Sequence, residues 1–481
     1  MSRVKGIATE PGWLLAAVAV GLSMAVLPLI MAAGLVWAAL FVVSLFSLIF
    51  LLFGWPFSGV ALLILAALFT RYRFDVGPVS VRPEHVAAVG VAAIGFVQYL
   101  VNQGRLRLPL AFWFALGWWL MNGIAGLFFS PFARTGLQNS VRLALLVLTF
   151  FLVINLIPDR RTWWRAFKLF LVAGVIEAGY GIVARAVYPF GINLGVQVSW
   201  NFTEPIPYGT FEEGNLFGSH TASWAIVLLM LLFSIDILRR PPTWRHLLYF
   251  LGLGILLLGL FLSLSRAAWL TFAAGAGLVW VFYRPQRWHQ MNRFLLVIVS
   301  APFAALLILS IAPLLPSSIP YVERLQSFLS LSRDATFSAR LSDWALALDD
   351  WRKQPLTGWG PGSFFDLHGM LRGNPAWISS LNIRLLQETG IIGALSFYGF
   401  FLALLVPAFK IAGRLSEPRD RAALLGLGLS YLVLLGLAYQ STDGIWLAAS
   451  WVHAGLIVAG SYVLPRASAS SHAKVPPNRV S

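Results

Sequence analysis

The feature that most constrains this chain is a succession of apolar runs, each about as long as a bilayer is thick. A helix needs about 20 apolar residues to cross the hydrocarbon core. Runs near that length lie at 12–32, 35–54, 57–70, 84–101, 108–130, 141–157, 165–187, 219–238, 247–264, 267–283, 294–314, 389–409, 421–440 and 444–464. The third is short and reads as a re-entrant piece or as part of its neighbour. The expected fold class is all-α, a polytopic membrane bundle of 12–14 transmembrane helices. Composition excludes the soluble alternative. Of 481 residues, 58% are hydrophobic and only 11% charged, against about 25% charged in soluble domains. A soluble fold of this length would need far more polar surface.

Met1 to Pro11 is short and mildly basic, and the run behind it is too long for a signal-peptide core. It reads as the first span. The absence of cysteine removes disulfides, Cys-ligated zinc, iron–sulfur clusters and thiol catalysis. The seven histidines are scattered, with no His-Glu-x-x-His or Asp-x-Asp cluster. No metal and no cofactor is expected.

The net charge of +16 comes from 35 Lys+Arg against 19 Asp+Glu. No basic–aromatic surface argues for nucleic acid; in a membrane protein the excess sets topology. Arg160, Arg161 and Arg165, then Arg239, Arg240 and Arg245, then Arg284, Arg287 and Arg293, then Lys410, Arg414, Arg419 and Arg421 all fall on one face if the spans alternate. That face is read as cytoplasmic, with both termini on it. The loop 71–83, carrying Arg71, Arg73 and Arg82, falls on the opposite face and breaks the pattern. The organisation expected is N-terminal spans (1–187), a first outer loop (188–218), central spans (219–314), a large outer loop (315–388), C-terminal spans (389–464) and a disordered Ser/Pro-rich cytoplasmic tail (465–481).

A membrane protein whose one large loop is outside acts at that face. Arg266 lies in Leu262-Ser263-Leu264-Ser265-Arg266-Ala267-Ala268-Trp269, between two apolar runs with almost no loop. It either grips an anionic lipid head group through its planar fork or snorkels to the interface and ends a helix. Ser338 to Leu348 has apolar residues at 341, 344, 345 and 348, the spacing of an amphipathic helix capped by Ser338 or Ser342. Arg340, near its start, opposes the helix dipole, and is either a functional cation or an ordinary surface arginine paired with Asp343 or Asp334. Pro355 to Phe364 packs glycines and prolines into a compact turn. Gly360 and Gly362 there either cradle an anion with their amides or simply return the chain to the membrane. The loop ends with Asp366, His368, Arg372 and Arg384, and Glu388 then enters the next span, where a carboxylate needs a partner. His368 is the histidine of the large loop, a candidate acid/base group or a structural residue.

The first outer loop reads Tyr208-Gly209-Thr210-Phe211-Glu212-Glu213-Gly214-Asn215. Adjacent Glu212 and Glu213 point apart on most backbones, so this spacing gives no claim to paired-carboxylate glycosidase chemistry. One of them is placed to bind a sugar hydroxyl or deprotonate an acceptor. Asn215 and His220 follow where a helix enters the bilayer.

Taken together these motifs resemble the O-antigen ligase and polymerase superfamily of bacterial envelope polysaccharide enzymes. The resemblance rests on Ser265-Arg266-Ala267-Ala268-Trp269, on Arg340 and Trp344 followed by the turn at 355–364, and on Leu386-Gln387-Glu388-Thr389-Gly390-Ile391-Ile392-Gly393. Gly209-Thr210-Phe211 with Gly214-Asn215 is similar to the family's earlier outer loop. The resemblance implies a GT-C-like glycosyltransferase of the bacterial inner membrane. It would polymerise or transfer undecaprenyl-diphosphate-linked repeats, in O-antigen, lipopolysaccharide or exopolysaccharide synthesis, beside other polysaccharide-assembly proteins. Arg266 and Arg340 match arginines thought to hold the diphosphate. Members often read His-Asn where this chain has Ser379 and Ser380, and an arginine where it has Tyr208. A polymerase-type or divergent relative follows, with His368 or Glu213 as the base. The expected site is Arg266, Arg340, His368 and Glu213 for catalysis, with Asn215, Tyr208, Gly360, Gly362, Arg384 and Glu388 binding substrate. The alternatives are a flippase for the same lipid-linked glycan and a non-catalytic partner in envelope assembly. No inverted repeat supports a transporter.

Overall fold

The structure is a computed structural model and describes residues 55–76, 79–102, 106–198, 205–234, 244–283, 335–371 and 373–472. The expected spans at 12–32, 35–54 and 294–314 lie outside the described residues. The remaining runs are helices: α1 (Phe57–Ala66), α2 (Pro83–Asn102), α3 (Leu110–Ile124, extended by a π-turn over Ala125–Phe129), α4 (Ala133–Leu156), α5 (Arg160–Val187), α6 (Gly214–Ser234), α7 (Trp244–Leu262), α8 (Arg266–Tyr283), α11 (Leu381–Arg414), α12 (Pro418–Gly436) and α13 (Ala448–His472). Between α8 and α11 lie α9 (Ala335–Lys353) and the short α10 (Ser363–His368). Among the described residues, seven helices are long and apolar enough to cross a membrane: α3 to α6 and α11 to α13. α1, α7 and α8 contribute shorter apolar segments.

Three antiparallel hairpins decorate the helices. β1 (Phe74–Val76) pairs with β2 (Val79–Val81), β3 (Val196–Val198) with β4 (Pro205–Pro207), and β5 (Met370–Leu371) with β6 (Asn374–Pro375). Their registers place Phe74 opposite Val81, Val196 opposite Pro207 and Met370 opposite Pro375. All three fall in the loops expected on the outer face.

Polar contacts define the two ends of the bundle. At one end Arg160 donates to Asp420 at 2.8 and 3.0 Å, and Trp164 donates to the same carboxylate at 2.8 Å. Arg419 lies over Trp164, and Arg107 caps the carbonyls of Ile157 and Pro158 at the end of α4. Asp159 caps α5 by accepting from the amide of Thr162. At the other end the loop 71–82 meets the loop 205–213: the Arg71 amide donates to the Thr210 carbonyl and Arg82 pairs with Glu212. The basic loop that broke the charge pattern therefore belongs to the site-bearing end.

The core is aromatic. Trp118 stacks on Trp451, which also contacts Phe150 and Phe400, tying α3, α4, α11 and α13 together. α6 is hydrophobic nearly all round and almost wholly buried, as a central helix requires. Gly126 in the π-turn and Gly136 in α4 touch backbone to backbone; a Cβ on Gly136 would sit 2.5 Å from the Gly126 Cα.

Some boundaries differ from expectation. α6 begins at Gly214 and α11 at Leu381, each earlier than its apolar run, because polar first turns are buried against the loops. α13 continues through Pro465 to His472, so the segment 465–472 is helical. α9 starts at Ala335, which removes Ser338 and Ser342 as caps; the Ser342 hydroxyl instead donates back to the Ala339 carbonyl at 2.9 Å. Its inward face carries Trp344, Ala347 and Asp350, while Leu341 is exposed.

Candidate active site

Glu212 and Glu213 stand at the entry to α6, and they do point apart. Glu212 pairs with Arg82 of the 71–82 loop. Glu213 accepts the Thr442 hydroxyl and lies within electrostatic reach of Arg340 on α9. Burial pushes the Glu213 carboxyl above the usual carboxylate range; the Thr442 bond and the Arg340 charge pull it back in part. A partly buried acid with a raised pKa and a cation beside it has the properties of a proton-transfer group.

Residue 443, next after Thr442, holds the second wall. Asp443 pairs with Arg384 on the first turn of α11. Arg384 also donates Nε–H to Glu388 Oε1 at 2.8 Å, four residues on, and its guanidinium lies over Trp377 at 4.9 Å and Trp446 at 5.2 Å. Glu388 is therefore paired, as a carboxylate at that depth must be.

The glycine-rich turn is built around Glu388. α11 breaks at Gly390, whose φ of +62° is outside the helical region. The turn supplies partners across the break: Trp359 and Gly360 donate to the carbonyls of Gln387 and Glu388, and Ile391 and Ile392 donate to those of Pro355 and Leu356. Gly362 donates its amide to Glu388 Oε1 at 2.7 Å. Gly360 rests on Gly126 of α3, and Gly362 on Asn139 of α4. The anion cradled by the Gly362 amide is a side chain of the protein.

Two further arginines, Arg82 buried and Arg142 partly buried, complete this end. Arg82 is 5% exposed and lies 3.7 Å from Glu84. Arg142 on α4 donates to the Trp446 carbonyl at 3.4 Å and is within electrostatic reach of Arg82, Glu84, Glu212 and Arg384. Buried Arg82 Nη1, Arg142 Nε and both Glu84 carboxyl oxygens have no hydrogen-bond partner among the described residues. Native interiors rarely leave such groups unbonded.

The other expected residues are placed as follows. Arg266 opens α8 in a tight corner where Leu264 has φ +51° and the Ser265 hydroxyl accepts the Ala268 amide. That corner packs on Gly218, one turn below Gly214, so Arg266 sits at the same end as Glu213. Arg71 covers the Tyr208 ring at 4.9 Å. Asn215 lies on the first turn of α6, its carbonyl accepting from Ser219. His220, deeper in α6, meets the Tyr439 hydroxyl at 3.1 Å and stacks on Phe211. His368 is in a satellite cluster with Phe364, its Nε2 2.6 Å from Asp350 Oδ2. Ser379 accepts from Trp344 of α9 at 3.2 Å.

The structure thus brings Glu213 near Arg340 and links Arg384, Glu388, Gly360 and Gly362 directly. The sequence reading missed Arg82, Arg142, Thr442, Asp443 and Asp350. One signal was available for Arg142: it is the one charge within the apolar run 141–157. Among the described residues no group of three or more His, Cys, Asp or Glu could hold a metal ion.

Comparison with known proteins gives three results. A search of curated proteins finds no match. A solved chain from a peptidoglycan synthase complex, described for its structural coordination of polymerization and crosslinking, aligns with 73% of this chain and 96% of its own at 17% identity and TM-score 0.41. The O-antigen ligase family model matches residues 251–398, from within α7 to the middle of α11. That segment contains Arg266, Arg340, the glycine-rich turn, His368, Arg384 and Glu388, and over it the chain is similar to the O-antigen ligase family.

Proposed function

We propose that this chain is a membrane glycosyltransferase that transfers or polymerises oligosaccharide repeats carried on undecaprenyl diphosphate. The observation that carries the reading is that Glu213, within electrostatic reach of Arg340, stands at an end of the bundle that also gathers Arg82, Arg142 and Arg384. The O-antigen ligase match supports a role in glycan assembly at the membrane.

The chemistry follows from these groups. The acceptor hydroxyl attacks the anomeric carbon of the lipid-linked sugar. Its oxygen forms the new glycosidic bond while the bond from that carbon to the diphosphate oxygen breaks. The hydroxyl proton passes to the Glu213 carboxylate. The leaving polyprenyl diphosphate takes the electron pair, and its charge is held by fixed guanidinium groups, Arg340 and Arg266 foremost. The lipid diphosphate is already activated, so no nucleotide is needed.

The test is elongation by purified protein in liposomes supplied with lipid-diphosphate-linked repeats. Glycan lengthening that falls steeply, to a small residual rate, in Arg266→Ala and in Arg340→Ala, with folding intact, supports the reading. Passage of the donor across the bilayer without lengthening would establish the flippase instead. Undiminished lengthening in Arg266→Ala would remove that residue from the mechanism.

A further inference from the structure

The loop that delivers Glu212 and Glu213 is anchored inside the bundle by one carboxyl group, and counting hydrogens fixes that group's state. Glu177 lies on α5, seventeen residues beyond Arg160 and so about 25 Å from the far end of the bundle. It is fully buried. Its Oε1 accepts the Thr210 amide at 2.8 Å, and its Oε2 lies 2.8 Å from the Thr210 hydroxyl oxygen. The same hydroxyl oxygen lies 2.7 Å from the Leu68 carbonyl, just beyond α1.

A threonine hydroxyl has one hydrogen and two lone pairs. The Leu68 carbonyl can only accept, so the contact at 2.7 Å takes the Thr210 hydrogen. The contact to Oε2 then needs a second hydrogen, and only Glu177 can bring it. With an ionised Glu177, one of the two short contacts would set lone pair against lone pair. The surroundings agree. Among the described residues no cation pairs with Glu177, and the titratable neighbours that face it are the phenols Tyr72 and Tyr180. The Tyr180 hydroxyl donates elsewhere, to the Leu194 carbonyl at 2.6 Å. An unpaired buried carboxylate would be costly, whereas a buried carboxylic acid with both oxygens bonded is not.

We infer that Glu177 is a neutral carboxylic acid that acts as the positioning residue of the catalytic loop, relaying one chain of hydrogen bonds from α5 through Thr210 to the end of α1. Gly209 permits the fit: its φ is +59°, and a Cβ there would meet Glu177 Oε1 at 2.0 Å. The Arg71 amide closes the circuit by donating to the Thr210 carbonyl at 3.0 Å. Thr210 is two residues from Glu212 and three from Glu213, so this anchor sets where both carboxylates stand. The functional consequence rests on the glycosyltransferase reading; the protonation state does not.

The test separates the two. Infrared difference spectra of the full protein in liposomes, compared with Glu177→Gln, should show a protonated-carboxyl stretch that the variant lacks. Its absence, with the carboxylate bands of Glu177 present instead, would overturn the inference whatever the enzyme's activity. Glutamine reproduces every hydrogen bond of the neutral acid, its amide donating to Thr210 Oγ1 and its carbonyl accepting the Thr210 amide. Glu177→Gln should therefore keep the thermal midpoint and elongate glycan within about threefold of the parent. Glu177→Leu, which removes both contacts, should lose on the order of 100-fold in kcat at similar KM. If Glu177→Leu fails to fold, Thr210→Val gives the same reading by removing only the hydroxyl. Glu177→Gln as impaired as Glu177→Leu while still folded would mean that the charge is needed, and would overturn the inference.

Discussion

Thr442 and Asp443 are consecutive residues that grip different walls of the site: Thr442 donates to Glu213 at the head of α6, and Asp443 receives Arg384 on α11. A short loop after α12 thus sets the spacing between the candidate base and an arginine that the sequence separates from it by 171 positions. Replacing Asp443 with Asn keeps the shape and removes the charge. Both partners are buried, with side chains 11% and 2% exposed, and breaking a buried pair costs about 3 kcal/mol. The thermal midpoint of Asp443→Asn should fall accordingly. Elongation should fall with it, because Arg384 is then held by Glu388 alone.

Glu213→Gln retains an acceptor for Thr442 but cannot take a proton. Transfer should drop by about 100-fold or more, with the thermal midpoint near that of the parent, measured by single-turnover elongation and thermal unfolding.

The pH profile of the parent carries the same information. Burial raises Glu213, and its base function needs the ionised form. The acidic limb of the elongation rate should lie above the ordinary carboxylate range. Arg340 lowers Glu213, so Arg340→Lys should leave the limb near its place and Arg340→Ala should move it to higher pH. The stability linkage has the opposite sense to that of a salt-bridged carboxylate. A raised folded pKa favours the protonated form, so this group's contribution is complete below its unfolded pKa and is lost as pH rises through the folded one. An acidic limb at the ordinary carboxylate value, unmoved in Arg340→Ala, would show that another group is the base.

The bundle was legible in the sequence because apolar runs of bilayer length leave the backbone no choice but the helix. Arg266 and Glu388 were visible as charges at places where charge is costly, Arg340 as a cation opposing its helix dipole, and Glu213 as a carboxylate of the first outer loop. The pairings were not visible. Asp443, Arg82 and Arg142 act through partners far away in sequence, and nothing local marks Asp443 as the ligand of Arg384. The amphipathic stripe of α9 was misplaced because its inward face buries Asp350, held by His368 and Lys353. A polar residue on a buried face defeats a count of apolar positions. The glycine-rich turn was legible as a turn, but its role depends on the break at Gly390, which only the three-dimensional pairing of 355–360 with 387–392 reveals.

That pairing gives a backbone prediction. Gly390 has φ +62°, and a Cβ there would lie 2.3 Å from the Leu356 carbonyl carbon. Gly390→Ala meets both conformational strain and a backbone clash, each costing about 1–3 kcal/mol. It should lower the thermal midpoint and expose the turn, read as faster proteolysis between 355 and 362. By contrast Gly413→Ala, in the same helix with open space around it, should leave the midpoint unchanged or slightly raised.

Asp420 provides the control at the opposite end of the bundle. It is 1% exposed and accepts from Arg160 twice and from Trp164 once. Asp420→Asn loses the charge that these three donors share, and a broken buried pair costs about 3 kcal/mol; because Arg160 is 42% exposed, water offsets part of that and about half is expected. The midpoint should fall, yet elongation per folded molecule at low temperature should match the parent, since the bonds of Glu213, Arg384 and Glu388 all lie at the other end. Equal loss of transfer in Asp420→Asn and Asp443→Asn, at matched folded fraction, would mean that stability alone governs both. The assignment of the Glu213 end as the reacting end would then have no support from this pair.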